Sequence, residues 1–153
     1  MNIADFTSEH LIFTRLAPVD KQELLALMVD RIVAAGAIGA DRRDPLIAKL
    51  TERERLSSTG IGGHVGIPHA SGENIGDMIV AVGVLPDGVA FDAIDGEPVR
   101  LVFLIVGSER APRIHLQLLA AIVRFCKNRQ VAEKLMAADD PADAYAVIVG
   151  AGR

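Results

Sequence analysis

Tryptophan is absent from this 153-residue chain, and tyrosine occurs once beside five phenylalanines. The core must therefore be aliphatic, packed from Leu, Ile, Val and Ala. Scarce aromatics also remove the stacking platforms on which single-stranded nucleic acid lies. No basic stretch compensates, and the formal net charge is -4. Without clustered Lys and Arg, the phosphate contacts that supply most non-specific affinity for nucleic acid are missing, so no nucleic-acid partner is expected. Cys126 is the only cysteine. It excludes an intramolecular disulfide, suits a reducing compartment and reads as a small core residue on a helix. Long hydrophobic runs are lacking too. Residues 78–85 and 101–106 are the longest apolar stretches, far short of the ~20 residues of a spanning helix, and they read as buried strands. Met1-Asn2-Ile3-Ala4-Asp5 has neither the positive start nor the apolar run of a signal peptide. The expected location is the cytoplasm, with no membrane insertion. No cluster of histidines and carboxylates stands at ligand spacing, so neither metal nor cofactor is expected.

What is present fits one domain over residues 1–153. Half the residues are hydrophobic, and no repeat, low-complexity tract or linker divides them. The apolar stretch from Leu11 to Leu16 reads as a short strand. Asp20 with Glu23 opens a helix in the manner of a capping box, Leu24, Leu25, Met28, Ile32 and Val33 recur at helical spacing, and Gly36 closes it. Asp44-Pro45 starts a second helix, with Asp44 as N-cap, running to about Arg55. Residues 78–85 and 99–106, apolar on both faces, are central strands, with Pro86-Asp87-Gly88 and Asp95-Gly96 as turns between them. Pro112 opens a helix carrying His115, Leu116, Leu119, Ile122 and Val123. Asn128 caps another through Met136, and Asp140-Pro141 starts a last one ending near Gly150. The class is α/β, a small mixed central β-sheet flanked by helices.

Between the second helix and the first central strand runs Ser57-Ser58-Thr59-Gly60-Ile61-Gly62-Gly63-His64-Val65-Gly66-Ile67-Pro68-His69-Ala70. Glycine and β-branched residues alternate, which predicts loop and short strand. Glycines allow a backbone to approach a ligand, and successive N–H groups can cup an anion. Pro68 fixes the backbone beside His69, which suits a nucleophile that must meet its electrophile in line. The stretch is neither a Walker A loop nor a dinucleotide fingerprint. A tight turn with an incidental histidine explains the same pattern, and the residues alone leave both readings open.

Arg53-Glu54-Arg55-Leu56-Ser57-Ser58-Thr59-Gly60-Ile61-Gly62 followed by Ile67-Pro68-His69 resembles the signature of type-2 EIIA domains of the bacterial phosphotransferase system, the fructose, mannitol and nitrogen-regulatory group. His115-Leu116-Gln117-Leu118-Leu119-Ala120 resembles the family's second histidine segment, and residues 91–99 its turn between strands. The likeness covers almost the whole chain. Gly63-His64 stands where the family commonly has Asn-Gly, and Ala70 where Gly is frequent.

The resemblance implies that His69 is the phosphorylated nucleophile, acting through Nε2 while Nδ1–H bonds a backbone carbonyl. It implies that His115 donates a hydrogen bond to the phosphoryl oxygens and that Arg53 clamps them. Without it, His115 reads as a half-buried helix residue and Arg53 as a solvated helix end. Ser58 or Thr59 bonds the loop or the phosphoryl group, Arg55 faces solvent, and His10 lies on the surface. His64 alters the rim of the site or the choice of partner, and Ile61, Val65 and Ile67 form an apolar collar around the histidine or plain core packing, which the sequence does not separate. The implied donor is an HPr-like phosphocarrier. Chain length points to the nitrogen-regulatory branch, whose phosphorylation state acts on regulatory target proteins. The alternatives are a fructose- or mannitol-type carrier that passes phosphate to an EIIB domain, a binding module of the same fold, and a hydrolase using the two histidines as acid and base.

Overall fold

The computed structural model describes residues 1–72 and 75–151. The expected α/β class is what forms: six strands make a mixed sheet, and helices cover both its faces. The strands are β1 (Ile12–Phe13), β2 (Gly60–Gly62), β3 (Val65–Gly66), β4 (His69–Gly72), β5 (Ile79–Val89) and β6 (Val99–Ser108). The helices are α1 (Lys21–Ala34), α2 (Arg43–Leu56), α3 (Pro112–Lys127), α4 (Arg129–Met136) and α5 (Pro141–Ala151).

The two long strands pair antiparallel and divide the core by alternation over residues 80–85 and 101–106. Leu101, Phe103 and Ile105 of β6 and Val80, Val82 and Val84 of β5 join Leu118 and Ile122 in one core, which also takes in Leu135 and Ile148. Val102, Leu104 and Val106, with Ala81 and Leu85, join Leu24, Met28 and Leu50 in the other. Period-two side-chain geometry thus lets two adjacent strands serve both layers, which is why both read as continuous apolar runs.

Helix starts follow their caps. The Asp20 carboxylate accepts from Glu23 N at 2.8 Å, Asn128 Oδ1 from Val131 N at 3.3 Å and Asp140 Oδ1 from Asp143 N at 2.8 Å. Gly36 ends α1 with φ of 80°. Cys126 is buried on α3, and desolvation pushes its thiol up to about 12.

Two local expectations fail. α2 starts at Arg43, after a 3-10 turn at Ala40–Arg42, so Asp44 is inside the helix and is not its N-cap. Pro45 falls within the first turn, where a missing N–H leaves no bond unmade. Arg43 supplies the anchor, pairing with Asp30 of α1 at 2.5 Å and with Asp44 at 2.6 Å. Pro86-Asp87-Gly88 is not a turn between strands but lies inside β5, whose register against β6 shifts between Val84 and Val89. An irregularity of this kind accepts a proline that cannot donate to the ladder.

β3 and β4 both run parallel to β6, at Leu101–Val102 and at Ile105–Ser108 respectively. The chain from Val65 to Gly72 therefore tracks one edge of β6, while α2 packs against β4. β2 turns back antiparallel on β3, close to Ala93: a Cβ on Gly60 would stand 2.6 Å from Ala93 Cβ and 2.7 Å from its Cα. Gly60→Ala is expected to cost about 1–3 kcal/mol through this overpacking. Thermal unfolding checks it, and an unchanged Tm would mean that the segment carrying Ala93 moves aside without cost.

Candidate functional site

The last turn of α2 fixes the segment that leads to the site. Glu54 is 8% exposed, and its carboxylate accepts from Thr59 N at 3.1 Å, Thr59 Oγ1 at 2.5 Å and Lys21 Nζ at 3.0 Å. Three donors satisfy a carboxylate that burial would otherwise penalise. Ser58 Oγ donates to Phe91 O at 2.8 Å and accepts from Gly60 N at 3.0 Å. Both hydroxyls are thus bonded to the loop and its neighbours.

The glycine turn follows. Gly62, Gly63 and His64 have φ of 91°, 63° and 68°. The anion it holds belongs to the chain itself: Gly63 N donates to Asp95 Oδ2 at 3.0 Å. The N–H groups of Glu97 and then Gly63 keep the Asp95 carboxyl below its usual range. His64 Nδ1 lies 2.8 Å from Pro98 O, and its carbonyl accepts from Arg100 and Leu101 N. His69 is in register with Ile105, four residues beyond Leu101, or about 13 Å along the strand. His64 and the glycine turn therefore stand at the opposite end of β6 from His69, and His64 is not at its rim. Of the two readings of the apolar residues here, core packing is what forms at Val65 and Ile67. Val65 and Ile67 are 1% and 2% exposed in the core beneath α3, and Ile61 alone of the three reaches the surface.

At the other end the expected site residues meet. Pro68 O accepts from Ile105 N at 3.0 Å, which seats the segment on β6. Ala70 enters the core beneath α1 and α2, so alternation turns His69 toward α3. His69 Nδ1 lies 2.9 Å from Ile67 O. A carbonyl only accepts, so the neutral ring carries its proton on Nδ1 and leaves the Nε2 lone pair free. The His115 ring stands edge-on, 5.0 Å away between centroids at an interplanar angle of 63°. His115 is the fourth residue of α3, beside that helix's unpaired N–H groups. Burial, and secondarily the neighbouring His69, hold its pKa below the ordinary 6.5. Arg53 reaches from α2, its Nη1 donating to Ser57 O at 2.7 Å.

Arg53, His69 and His115 line one open cleft of about 340 Å³. Lys49, Ser71 and Glu109 line it too. Lys49 had a signal in the sequence, standing one helical turn before Arg53, whereas nothing local marked Glu109. A slightly larger cleft of about 380 Å³, between the N-terminal segment and α3 to α5, has no histidine, cysteine or carboxylate among the described residues that line it. Arg55 is exposed beside Glu52, and His10 is exposed. Among the described residues, no three His, Cys, Asp or Glu side chains gather as metal ligands, and no helix is long and apolar enough to cross a membrane.

The family model for the phosphoenolpyruvate-dependent sugar phosphotransferase system, EIIA 2, matches residues 5–150. The chain belongs to the type-2 EIIA family. The fructose-specific EIIA component of Haloferax volcanii is 34% identical to this EIIA over 138 residues, covering 90% of this chain and 88% of the relative. A nitrogen regulatory protein of Bradyrhizobium diazoefficiens is 31% identical over 148 residues, covering 97% and 95%. The crystal structure of nitrogen regulatory protein IIA-Ntr from Neisseria meningitidis shares the fold with a TM-score of 0.83 at 24% identity, over 95% of this chain and 98% of that one. The mannitol IIA protein of Escherichia coli, solved in complex with phosphorylated IIB, shares it at 0.77 and 19% identity, over 94% and 96%.

The depressed His115 pKa sets a pH dependence for this EIIA. Unfolded, the residue takes up a proton near 6.5; folded, it does so only at lower pH. The unfolded state therefore binds more protons in the window below 6.5, and stability falls as pH drops through it. NMR titration is expected to place His115 below 6.5, and His115→Gln to remove its share of the pH-dependent loss. A His115 that titrates at or above 6.5 would contradict this.

Proposed function

We propose that this EIIA is a phosphocarrier in the cytoplasm that accepts a phosphoryl group from an HPr-like protein onto Nε2 of His69. The observation that carries the reading is the Nδ1–Ile67 carbonyl contact at 2.9 Å, which leaves Nε2 as the free nitrogen in a cleft shared with His115 and Arg53. The His69 Nε2–P bond forms as the donor's N–P bond breaks, and the donor nitrogen keeps the electron pair. Little covalent work falls to the protein, which must position the group and neutralise its charge. Arg53 offers N–H groups in the fork geometry that matches phosphoryl oxygens. His115, kept neutral by burial, gives one N–H donor to the phosphoryl oxygens. Once the phosphoryl group is in place, its negative charge favours the protonated ring.

The phosphorylation state is then the signal read by regulatory target proteins, as expected of a nitrogen-regulatory EIIA. Near full-length similarity to the Bradyrhizobium nitrogen regulatory protein supports this. The second reading, a fructose-type carrier that passes phosphate to an EIIB domain, is favoured by the Haloferax relative.

Phosphoenolpyruvate, Enzyme I and an HPr-type carrier should add one acid-labile, alkali-stable phosphoryl group by intact mass. His69→Ala is expected to abolish the gain while leaving the fold intact. His115→Ala and Arg53→Ala should each slow labelling about 10–100-fold, the loss expected for one charge-assisted hydrogen bond. Full-speed labelling of either variant removes that residue from the mechanism. No gain with several competent donors would leave a binding module of the same fold.

A further inference from the structure

Lys49 lies one turn before Arg53 on the same side of α2 and lines the same cleft as His69. Its ammonium donates to Ser71 O at 2.9 Å, two residues beyond His69 on β4, and to Glu109 Oε1 at 3.1 Å, just past the end of β6. Among the described residues these two oxygens accept from it, and an ammonium has three N–H donors. Lys49 and Glu109 are about half exposed, with side chains 48% and 50% accessible, so solvent and salt keep their attraction weak. Both residues also line a second cleft of about 230 Å³ that continues along α2 past Pro45 and Leu46. The pair is thus a shared wall between the two clefts. A carboxylate beside the position of an incoming phosphoryl group opposes it, and the ammonium that neutralises this carboxylate is within reach of the same space.

Building on the phosphocarrier reading, we propose that Lys49 is a further phosphoryl-binding residue whose exchangeable counter-ion is Glu109. Without phosphate, Lys49 is held by Glu109 and the Ser71 carbonyl. With His69 phosphorylated, the ammonium turns to the phosphoryl oxygens, which carry more charge than one carboxylate, and Glu109 is released to the rim. The exchange alters the charge pattern at the surface where the two clefts join, and so displays the state of His69 to a partner. A static Coulomb effect of two fixed charges would tune transfer without any exchange, and the two cases give different double-mutant cycles.

The test is the equilibrium constant for phosphoryl transfer from the HPr-type donor, measured by intact mass at several donor ratios. The chains are the parent, Lys49→Met, Lys49→Arg, Glu109→Gln and the double variant Lys49→Met/Glu109→Gln, each checked for unchanged thermal unfolding. Lys49→Met is expected to lower the constant about fivefold and Glu109→Gln to raise it about threefold, in the range of half-exposed charge pairs. Lys49→Arg should restore most of the loss. The gain from Glu109→Gln should shrink in the Lys49→Met background, because no ammonium is left to release. The phosphohistidine ³¹P resonance should shift in Lys49→Met. An unchanged constant and ³¹P shift in Lys49→Met would overturn the proposal. An equal gain from Glu109→Gln in both backgrounds would overturn the exchange. A parent chain that takes no phosphate at all would instead strike the phosphocarrier reading and this proposal with it.

Discussion

Residues 65–72 lie parallel along the edge of β6, with His69 opposite Ile105, and every feature of the cleft follows from that register. Strand side chains alternate, so a slip of one residue would turn His69 toward the layer of α1 and α2 and Ala70 toward α3. The segment is held by backbone bonds that do not involve the histidine: Ile105 N to Pro68 O on the β6 side, and Ile67 N to Thr59 O on the other. Glu54 secures the far side of the same segment through Thr59. The imidazole is thus carried by a backbone fixed on both sides, and its Nδ1 finds a carbonyl two residues back. A ring tied in this way has one orientation and one free nitrogen, so in the proposed transfer it has little freedom to lose.

On the proposed reading, the charges around this ring suit a group that arrives anionic and leaves again. Arg53 and Lys49 come from successive turns of α2, and His115 comes from the first turn of α3, where unpaired N–H groups favour negative charge. Burial keeps His115 below its ordinary pKa, so the cleft is less positive than its basic side chains alone would make it. Glu109 reduces it further. A strongly cationic pocket would hold a phosphoryl group too well to pass it on, and a neutral one would not draw it in. Balanced, half-exposed charges fit a carrier better than a trap.

The sequence made much of this visible and misled at definite places. Side-chain caps at Asp20, Asn128 and Asp140 are local chemistry, and all three formed. Asp44-Pro45 and Pro86-Asp87-Gly88 are equally local signals, yet neither acts as read. Arg43 reaches across to Asp30 and extends α2 backward, and the ladder with β6 absorbs the second as a shift in register. The glycine stretch pointed to His69 for a reason that does not hold, because its positive-φ turn binds Asp95 at the other end of β6. Proximity in sequence made His64 look like a neighbour of His69, but an extended segment moves away by about 3.3 Å per residue.

The sequence by itself determined the aliphatic two-faced strands, the capped helices, the α/β class, and, through motif resemblance, His69, His115 and Arg53 as the residues to watch. Those depend on side-chain chemistry and on periodicity within about ten residues. Only the tertiary structure decided that the three share one cleft, that Lys49 and Glu109 complete it, that Val65 and Ile67 are core, and that His64 is remote. The physical reason is that each of these depends on which residue of one strand stands opposite which residue of another, and on how α2 and α3 approach the edge of β6. Registers of that kind are set by the packing of both cores at once, and no local stretch of sequence contains them.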